Sequence, residues 1–147
     1  PVILYNAKFA KPGQKIMASL SAQGLLSKTQ FDEEIEWTWF YLWHHEGRRA
    51  RHGASMMAPD YTHWHGMFEV AERFYVELVP QALEIAAEAR EHGQEEAAVA
   101  VEATVNDIPA RPEHAWFRQG ATDQIEAIRA AMKARYGQGG APGQDED

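Results

Sequence analysis

The 147-residue sequence contains no cysteine. This absence excludes disulfide bonds, thiolate zinc sites, iron–sulfur clusters and Cys-x-x-Cys-His attachment of haem within these residues. No apolar run approaches the roughly 20 residues that a membrane span requires. No stretch alternates with period two for long enough to predict a strand. The formal charge is −8, and since phosphate binding needs a basic face, nucleic acid is not expected as a partner.

What is present predicts a folded, all-α protein. Hydrophobic residues make up 45% of the chain, enough for one domain with a real core. Helical periodicity and end signals predict a long-helix bundle with Thr29 as the N-cap of its second helix. The predicted helices cover residues 12–22, 30–51, 61–91, 95–107 and 123–136. Residues 1–136 are expected to form the domain and the acidic residues 137–147 a disordered tail. The start at Pro1 suggests a processed product or a fragment of a longer chain.

The main anomaly is a concentration of histidine and tryptophan between Trp37 and His65. Five of the seven histidines and four of the five tryptophans lie there, beside three arginines. One interpretation is structural, because tryptophans at helical spacing usually belong to a core and a buried histidine is usually hydrogen-bonded. This interpretation is weaker for the group, since core helices rarely gather so many imidazoles beside arginines.

A single metal ion is a second interpretation, and the spacing fits it poorly. A zinc-protease helix needs His-Glu-x-x-His, but Arg49 stands where the second histidine should follow His45 and Glu46. His45 and His52 are two helical turns apart, roughly 10.5 Å along one face, too far to share an ion. Neither helix carries the Glu-x-x-His pair of a carboxylate-bridged iron site.

Two separate haem irons form the third interpretation, because two imidazoles at that spacing could each serve as the axial ligand of its own haem. The heptad-like face of the second helix begins apolar and turns basic: Phe31, Ile35, Thr38, Leu42, His45, Arg49, His52. Haem propionates could pair with Arg48, Arg49 and Arg51. The rings could be shielded from water by Trp39, Trp43 and Trp64. Tyr61 and His65 are four residues apart and therefore share a helical face, whereas His63 should point elsewhere.

The segment WHHEGRRARHGASMMAPDYTHWHG, residues 43–66, resembles the C-terminal helical part of the octahaem hydroxylamine oxidoreductase family of multihaem c-type cytochromes. Weaker support comes from YNAKFAKP at residues 5–12 and RPEHAWF at residues 111–117. The resemblance covers most of residues 3–136.

The resemblance implies oxidation of hydroxylamine, hydrazine or related nitrogen compounds in the periplasm or an equivalent compartment. It implies c-type haems that relay electrons and a catalytic haem that, in oxidising members, is cross-linked to a tyrosine of the neighbouring subunit of a trimer. Tyr61 is the candidate for that cross-link. Among the distal axial histidines, His52 is the first candidate, His45 and His65 come next, and His44 and His63 last. His92 and His114 lie outside the motif and are expected at the surface.

The cytochrome portion of that family, with all its Cys-x-x-Cys-His sites, is missing here. A split gene whose partner carries the haems, a fragment of a larger chain, and a domain that lost the chemistry are the three explanations, of which the first two are favoured. The haem c groups would then belong to the partner or to the missing portion, and this chain alone should have no turnover. A hypothesis of a different class is a non-catalytic assembly module whose histidines are structural.

Overall fold

The computed structural model describes residues 2–53, 55–114 and 130, and it confirms the all-α prediction. Within these residues there are four continuous helical stretches: α1 (residues 2–22), α2 (34–52), α3 (59–91) and α4 (95–110). A short 3₁₀ turn, Pro112–His114, follows α4. The chain divides into two units, residues 1–110 and 111–147, and the four helices lie in the first. The predicted last helix and acidic tail lie outside the described residues, apart from the helical Ala130, and the long-helix bundle stays a prediction.

Three of these helices contain π-helical turns, in which an N–H bonds to the carbonyl five residues back instead of four. For example, the Gly47 N–H donates to the Leu42 carbonyl. The π-helical turns alternate with α-helical segments. In chain order the segments of α1 are Val2–Tyr5, Asn6–Ala10 (π) and Lys11–Ala22, and those of α2 are Glu34–Phe40, Tyr41–Glu46 (π) and Gly47–His52. The segments of α3 are Pro59–Thr62, His63–Phe68 (π), Glu69–Glu72, Arg73–Leu78 (π) and Val79–Glu91. The fourth helix, α4, is α-helical throughout Glu95–Ala110.

Two predicted helix starts are wrong. The first helix begins at Val2 rather than at Pro12, and it runs through this proline, which stands two residues after a π-helical turn. The wider turn leaves more room for the proline ring beside the preceding carbonyls, which explains why proline does not end the helix there. The second helix begins at Glu34 with Glu33 as its N-cap, not with Thr29, because Phe31 has a left-handed backbone (φ 64°) that cannot belong to a helix. The predicted ends of α2 and α3 are confirmed to within one residue.

The core of this unit lies between α1, α3 and α4, with α2 packed along one side. Three rings meet edge to face where α1 contacts α3: Phe9 lies 5.6 Å from Phe74 and 6.1 Å from Tyr75, between ring centroids. Buried alanines such as Ala82 and Ala86 let α3 and α4 approach closely. The other apolar side chains of the four helices that are 0% exposed are Tyr5, Ile16, Leu20, Leu42, Ala50, Val70, Leu78, Ala98, Val101 and Ile108.

α2 and the start of α3 are in backbone contact through glycine. A Cβ atom added at Gly66 would lie 2.7 Å from both Cα and N of Ala50. A Cβ at Gly53 would meet the Thr62 side chain and, at 3.1 Å, its backbone nitrogen. Since real Cβ atoms do not approach backbone this closely, the two helices can lie this near each other only where α2 and α3 carry glycine. This contact brings the two histidine-bearing segments together.

No helix in the described part of the chain combines the length and apolarity needed to cross a bilayer.

Gly66→Ala tests the close α2–α3 contact. Alanine normally stabilises a helix relative to glycine by up to about 1 kcal/mol, but here the methyl group must push backbone apart. We therefore expect a net loss of about 1–3 kcal/mol in the free energy of unfolding, measured by denaturant titration with circular dichroism. Val76→Ala, on an exposed side chain of the same helix, should change it by less than about 0.5 kcal/mol. An unchanged or higher stability for Gly66→Ala would contradict the close contact.

Candidate functional site

The buried face of α2 is not the predicted one. Ile35, Thr38 and Leu42 are buried as expected, but the face then continues through Glu46, Ala50 and Gly53 instead of His45, Arg49 and His52. The predicted face repeats every 3.5 residues, whereas an α-helix turns once every 3.6 residues, so the predicted and buried positions diverge along the helix. The π-helical turn Tyr41–Glu46 increases this difference because it contains more residues per turn. His45 and His52 are consequently exposed, and Arg49 lies half-buried at the border with α3.

Four side chains from α2 and α3 form one group, which we call the Glu69 cluster: Arg49, Tyr61, His65 and Glu69. Arg49 donates from Nη1 to Glu69 Oε2 at 2.8 Å, and His65 Nδ1 lies 2.9 Å from Glu69 Oε1. The rings of Tyr61 and His65 are 5.4 Å apart, and the Arg49 guanidinium lies 5.9 Å from the Tyr61 ring centroid. Tyr61 and His65 therefore share a face, as their spacing predicts.

Two side chains of the Glu69 cluster are accessible to solvent. Tyr61 is 47% exposed and stands in the first turn of α3. The His65 side chain is 57% exposed, and its Nε2 makes no hydrogen bond to any residue that the structure describes. Because both functional groups reach solvent, a second polypeptide or a large cofactor can contact them.

A second ion-pair group lies deeper in the α2–α3 interface. The Glu46 side chain is 7% exposed, and its Oε1 accepts from Arg73 at 3.1 Å; Arg73 also donates to Glu77 Oε2 at 2.6 Å. The other Glu46 oxygen and the nearby Tyr5 hydroxyl are buried without a hydrogen-bond partner among the described residues. Burial raises the pKa of Tyr5, Arg51 lowers it and Glu46 raises it further. Tyr5 therefore stays a neutral phenol at physiological pH.

The three predicted anion-binding arginines divide into two kinds. Arg49 is ion-paired with Glu69. Arg48 and Arg51 form no ion pair with any described residue: Arg48 contacts His44 Nε2 at 3.4 Å, while Arg51 donates to the Trp43 carbonyl and lies 4.9 Å from the Tyr5 ring centroid. In a chain with 22 acidic and 14 basic residues, two guanidinium groups without a carboxylate are available for an external anion.

Aromatic rings cover the outer side of α2. Phe40 stacks on His44 with centroids 4.7 Å apart, and Tyr41 lies 5.1 Å from His45. Trp37, Trp43 and Trp64 are exposed, whereas Trp39 is partly buried against the core. Of the three tryptophans predicted to shield a ring from water, Trp43 and Trp64 thus lie at the surface and Trp39 packs on the fold itself.

His63 lies apart from the Glu69 cluster, as the spacing predicts. It lines an apolar groove of about 690 Å³ between the start of α1 and the start of α3, together with Leu4, Met57, Ala58, Pro59, Thr62 and Met67. His92 is exposed, as expected. His114 is fully buried, so its predicted surface position is wrong; an imidazole has enough apolar surface to be buried.

Within the described ranges, no three His, Asp or Glu side chains converge where they could hold a metal ion. A haem iron needs fewer ligands from the chain than such a metal site, because one imidazole can supply an axial ligand. The residues fit that group at three points: the outward Nε2 of His65, the two arginines without carboxylates, and the exposed tryptophans. Covalent attachment through cysteine would have to come from residues outside this sequence, which contains none.

Comparison of this chain with family models, with curated proteins and with solved structures returns no match.

Sequence reasoning missed Glu69, Glu46 and Arg73. Glu69 carried a usable signal, because it follows His65 by four residues and so lies on the same helical face. The Arg73–Glu46 pair had none, since 27 residues separate its members and only the packing of α3 on α2 brings them together.

Arg73→Ala would leave the Glu46 carboxylate buried without its cation. We expect a loss of about 2–4 kcal/mol in the free energy of unfolding near neutral pH. Glu77→Ala removes the more exposed partner of the same arginine, so it should cost only about 0.3–0.5 kcal/mol. Equal losses for the two variants, measured by thermal and denaturant unfolding, would show that Glu46 does not depend on Arg73.

Proposed function

We propose that this chain is the helical, ligand-supplying part of a multihaem complex of the hydroxylamine oxidoreductase type. The complex would oxidise hydroxylamine- or hydrazine-type nitrogen compounds in the periplasm or an equivalent compartment. The haem c groups would be attached to a partner chain, or to a missing portion of this one, that carries the Cys-x-x-Cys-His sites. When bound, haem supplies redox chemistry and electron transfer.

The observation that carries the proposal is the geometry of His65 beside Tyr61. A carboxylate can only accept a hydrogen bond, so the contact with Glu69 favours the His65 tautomer that donates from Nδ1 and keeps the Nε2 lone pair for a ligand. Tyr61 lies on the same face and is exposed. A phenol that reaches solvent at a helix start is accessible to the catalytic haem of a neighbouring subunit, in a trimer or higher assembly.

The other candidate ligands also require a ring nitrogen that is available to an iron. His45 and His52 are exposed, and neither ring has a hydrogen bond to the described part of the chain. His44 is a poorer candidate, because a guanidinium can only donate and Arg48 therefore occupies the His44 Nε2 lone pair. His52, His45 and His65 remain the proposed axial ligands.

Arg48 and Arg51 are the proposed propionate-binding residues. Arg49 stays a predicted third member of this set, and its ion pair with Glu69 also links α2 to α3. The two remaining arginines lie within the segment that carries His45 and His52, where bidentate pairing with carboxylates would orient a planar ligand. The exposed tryptophans would exclude water from it.

An assembly module is the alternative function, and the exposed rings on α2 favour it. Trp37, Tyr41 and Trp43 form an apolar surface of the kind that marks protein–protein contacts. In this alternative the histidines would hydrogen-bond within an interface and would bind no iron.

His52→Ala, made in the complex purified from its source, separates the two functions. Removal of an axial imidazole should abolish one bis-histidine haem signal in absorption and electron paramagnetic resonance spectra. His92→Ala removes an exposed imidazole outside the motif and should leave every haem signal intact. An unchanged spectrum for His52→Ala, followed by unchanged spectra for His45→Ala and His65→Ala, would favour the assembly module.

The role of Tyr61 is tested by mass spectrometry of the digested complex. A haem-modified peptide that contains Tyr61 is expected, and Tyr61→Phe should abolish the modification because it lacks the phenolic oxygen. The peptide containing Tyr41, another exposed tyrosine, is the internal control and should be unmodified. An unmodified Tyr61 peptide would remove the cross-link from the proposal.

A further inference from the structure

Glu69 divides its two carboxylate oxygens between two helices. Oε1 lies 2.9 Å from His65 Nδ1, one turn earlier on α3, and Oε2 accepts from Arg49 Nη1 of α2 at 2.8 Å. The Glu69 side chain is 31% exposed, so the carboxylate sits at the edge of the α2–α3 contact. Arg49 holds this carboxylate from the opposite helix through a charge-assisted hydrogen bond.

The geometry points to Glu69 as a positioning residue that fixes His65 as the Nδ1–H tautomer with Nε2 directed outward for a metal-bearing cofactor. An ionised carboxylate has no proton to donate, so the hydrogen bond requires the proton on Nδ1. A free imidazole populates both tautomers, and only a bare Nε2 can ligate from the outward side. Carboxylates that orient ligating histidines in this way are a general feature of metal sites.

Among the five histidines between Trp37 and His65, only His65 has a ring that contacts a carboxylate of the described residues. The rings of His45, His52 and His63 form no hydrogen bond to the described residues, and the one hydrogen-bond contact of the His44 ring is between Nε2 and Arg48. Nothing in this part of the chain selects a tautomer for His45, His52 or His63. His92 is the useful comparison, because its Nδ1 lies 2.7 Å from the Glu88 carbonyl and so has the same tautomer for a reason independent of Glu69.

The experiment uses the full 147-residue chain, labelled with ¹⁵N, without any cofactor. Long-range ¹H–¹⁵N correlation spectra at about pH 8.5, above the ordinary histidine pKa, report which ring nitrogen carries the proton, and His65→Gln assigns the signals. We expect wild-type His65 to be the Nδ1–H tautomer. Glu69→Ala should convert it to a mixture of tautomers, while Glu69→Gln, whose amide oxygen can still accept, should preserve the Nδ1–H form.

Two controls make the result specific. Glu72→Ala removes an exposed carboxylate of the same helix that has no hydrogen bond to a described residue, and it should leave His65 unchanged. The His92 signals should stay those of the Nδ1–H tautomer in every variant, and circular dichroism checks that helix content is retained. A wild-type His65 that carries its proton on Nε2, or an unchanged His65 in folded Glu69→Ala, would overturn the inference. If Glu69→Ala fails to fold, the wild-type tautomer and Glu69→Gln still decide the question.

The inference deepens the proposed function, but the two fail separately. A fixed His65 tautomer together with intact haem spectra in His65→Ala would leave Glu69 as a positioning residue and remove His65 from the ligand set. Loss of a haem signal in His65→Ala with a mixed wild-type tautomer would keep the ligand and reject the role of Glu69.

Discussion

The close approach of α2 to the first turns of α3 is the contact on which the rest of the site depends. Gly66 lies against the backbone of Ala50, and Gly53 lies against Thr62, so the two helices meet without intervening side chains. At this separation Arg49 reaches across to Glu69 and Arg73 reaches Glu46. A larger side chain at either glycine would move α2 away, and both ion pairs would lengthen together.

The distribution of charge follows from this contact. The chain is acidic overall, with a net charge of −8, yet the segment that carries the histidines presents cations. Its buried acid, Glu46, is neutralised by Arg73, and Glu69 is neutralised by Arg49. Arg48 and Arg51 are then left without carboxylates among the described residues. This surface supports the proposed anionic, planar ligand, whose carboxylates would pair with the guanidinium groups and whose flat face would pack on tryptophan.

A second region of the molecule shows how ordinary ion pairs differ from those of the site. Arg90 at the end of α3 donates to both oxygens of Glu102 on α4, at 2.7 and 2.8 Å, and to Glu95 at 2.9 Å. These hydrogen bonds lower the pKa of Glu102. This group joins α3 to α4, and its one cation, Arg90, is paired with carboxylates. It presents neither a ring nitrogen nor an unpaired cation to a ligand. The Glu69 cluster has the same construction, but it also holds an imidazole at the surface.

Prediction from the sequence succeeded where local periodicity decides the structure. Ile35, Thr38 and Leu42 are buried as their spacing indicates, and α2 and α3 end within one residue of their predicted ends. It failed where a local signal was overridden. Pro12 predicted a helix start, but a preceding π-helical turn lets the helix pass through it. Thr29 predicted an N-cap, but the left-handed Phe31 delays the helix to Glu34. A π-helical turn has no clear sequence signature, so the shift of the buried face from His45 to Glu46 could not be foreseen.

The amino-acid sequence by itself determined the all-α class, the absence of cysteine-based attachment, and the crowding of imidazoles, indoles and guanidinium groups into one segment. It also determined that Tyr61, His65 and Glu69 share a face, because that follows from helical spacing within one element. Only the tertiary structure decided which arginine pairs with which carboxylate. Arg49 and Glu69 are 20 residues apart and meet because two glycines allow their helices to touch. Pairing across elements depends on how helices pack, and that is a property of the whole core rather than of any local pattern.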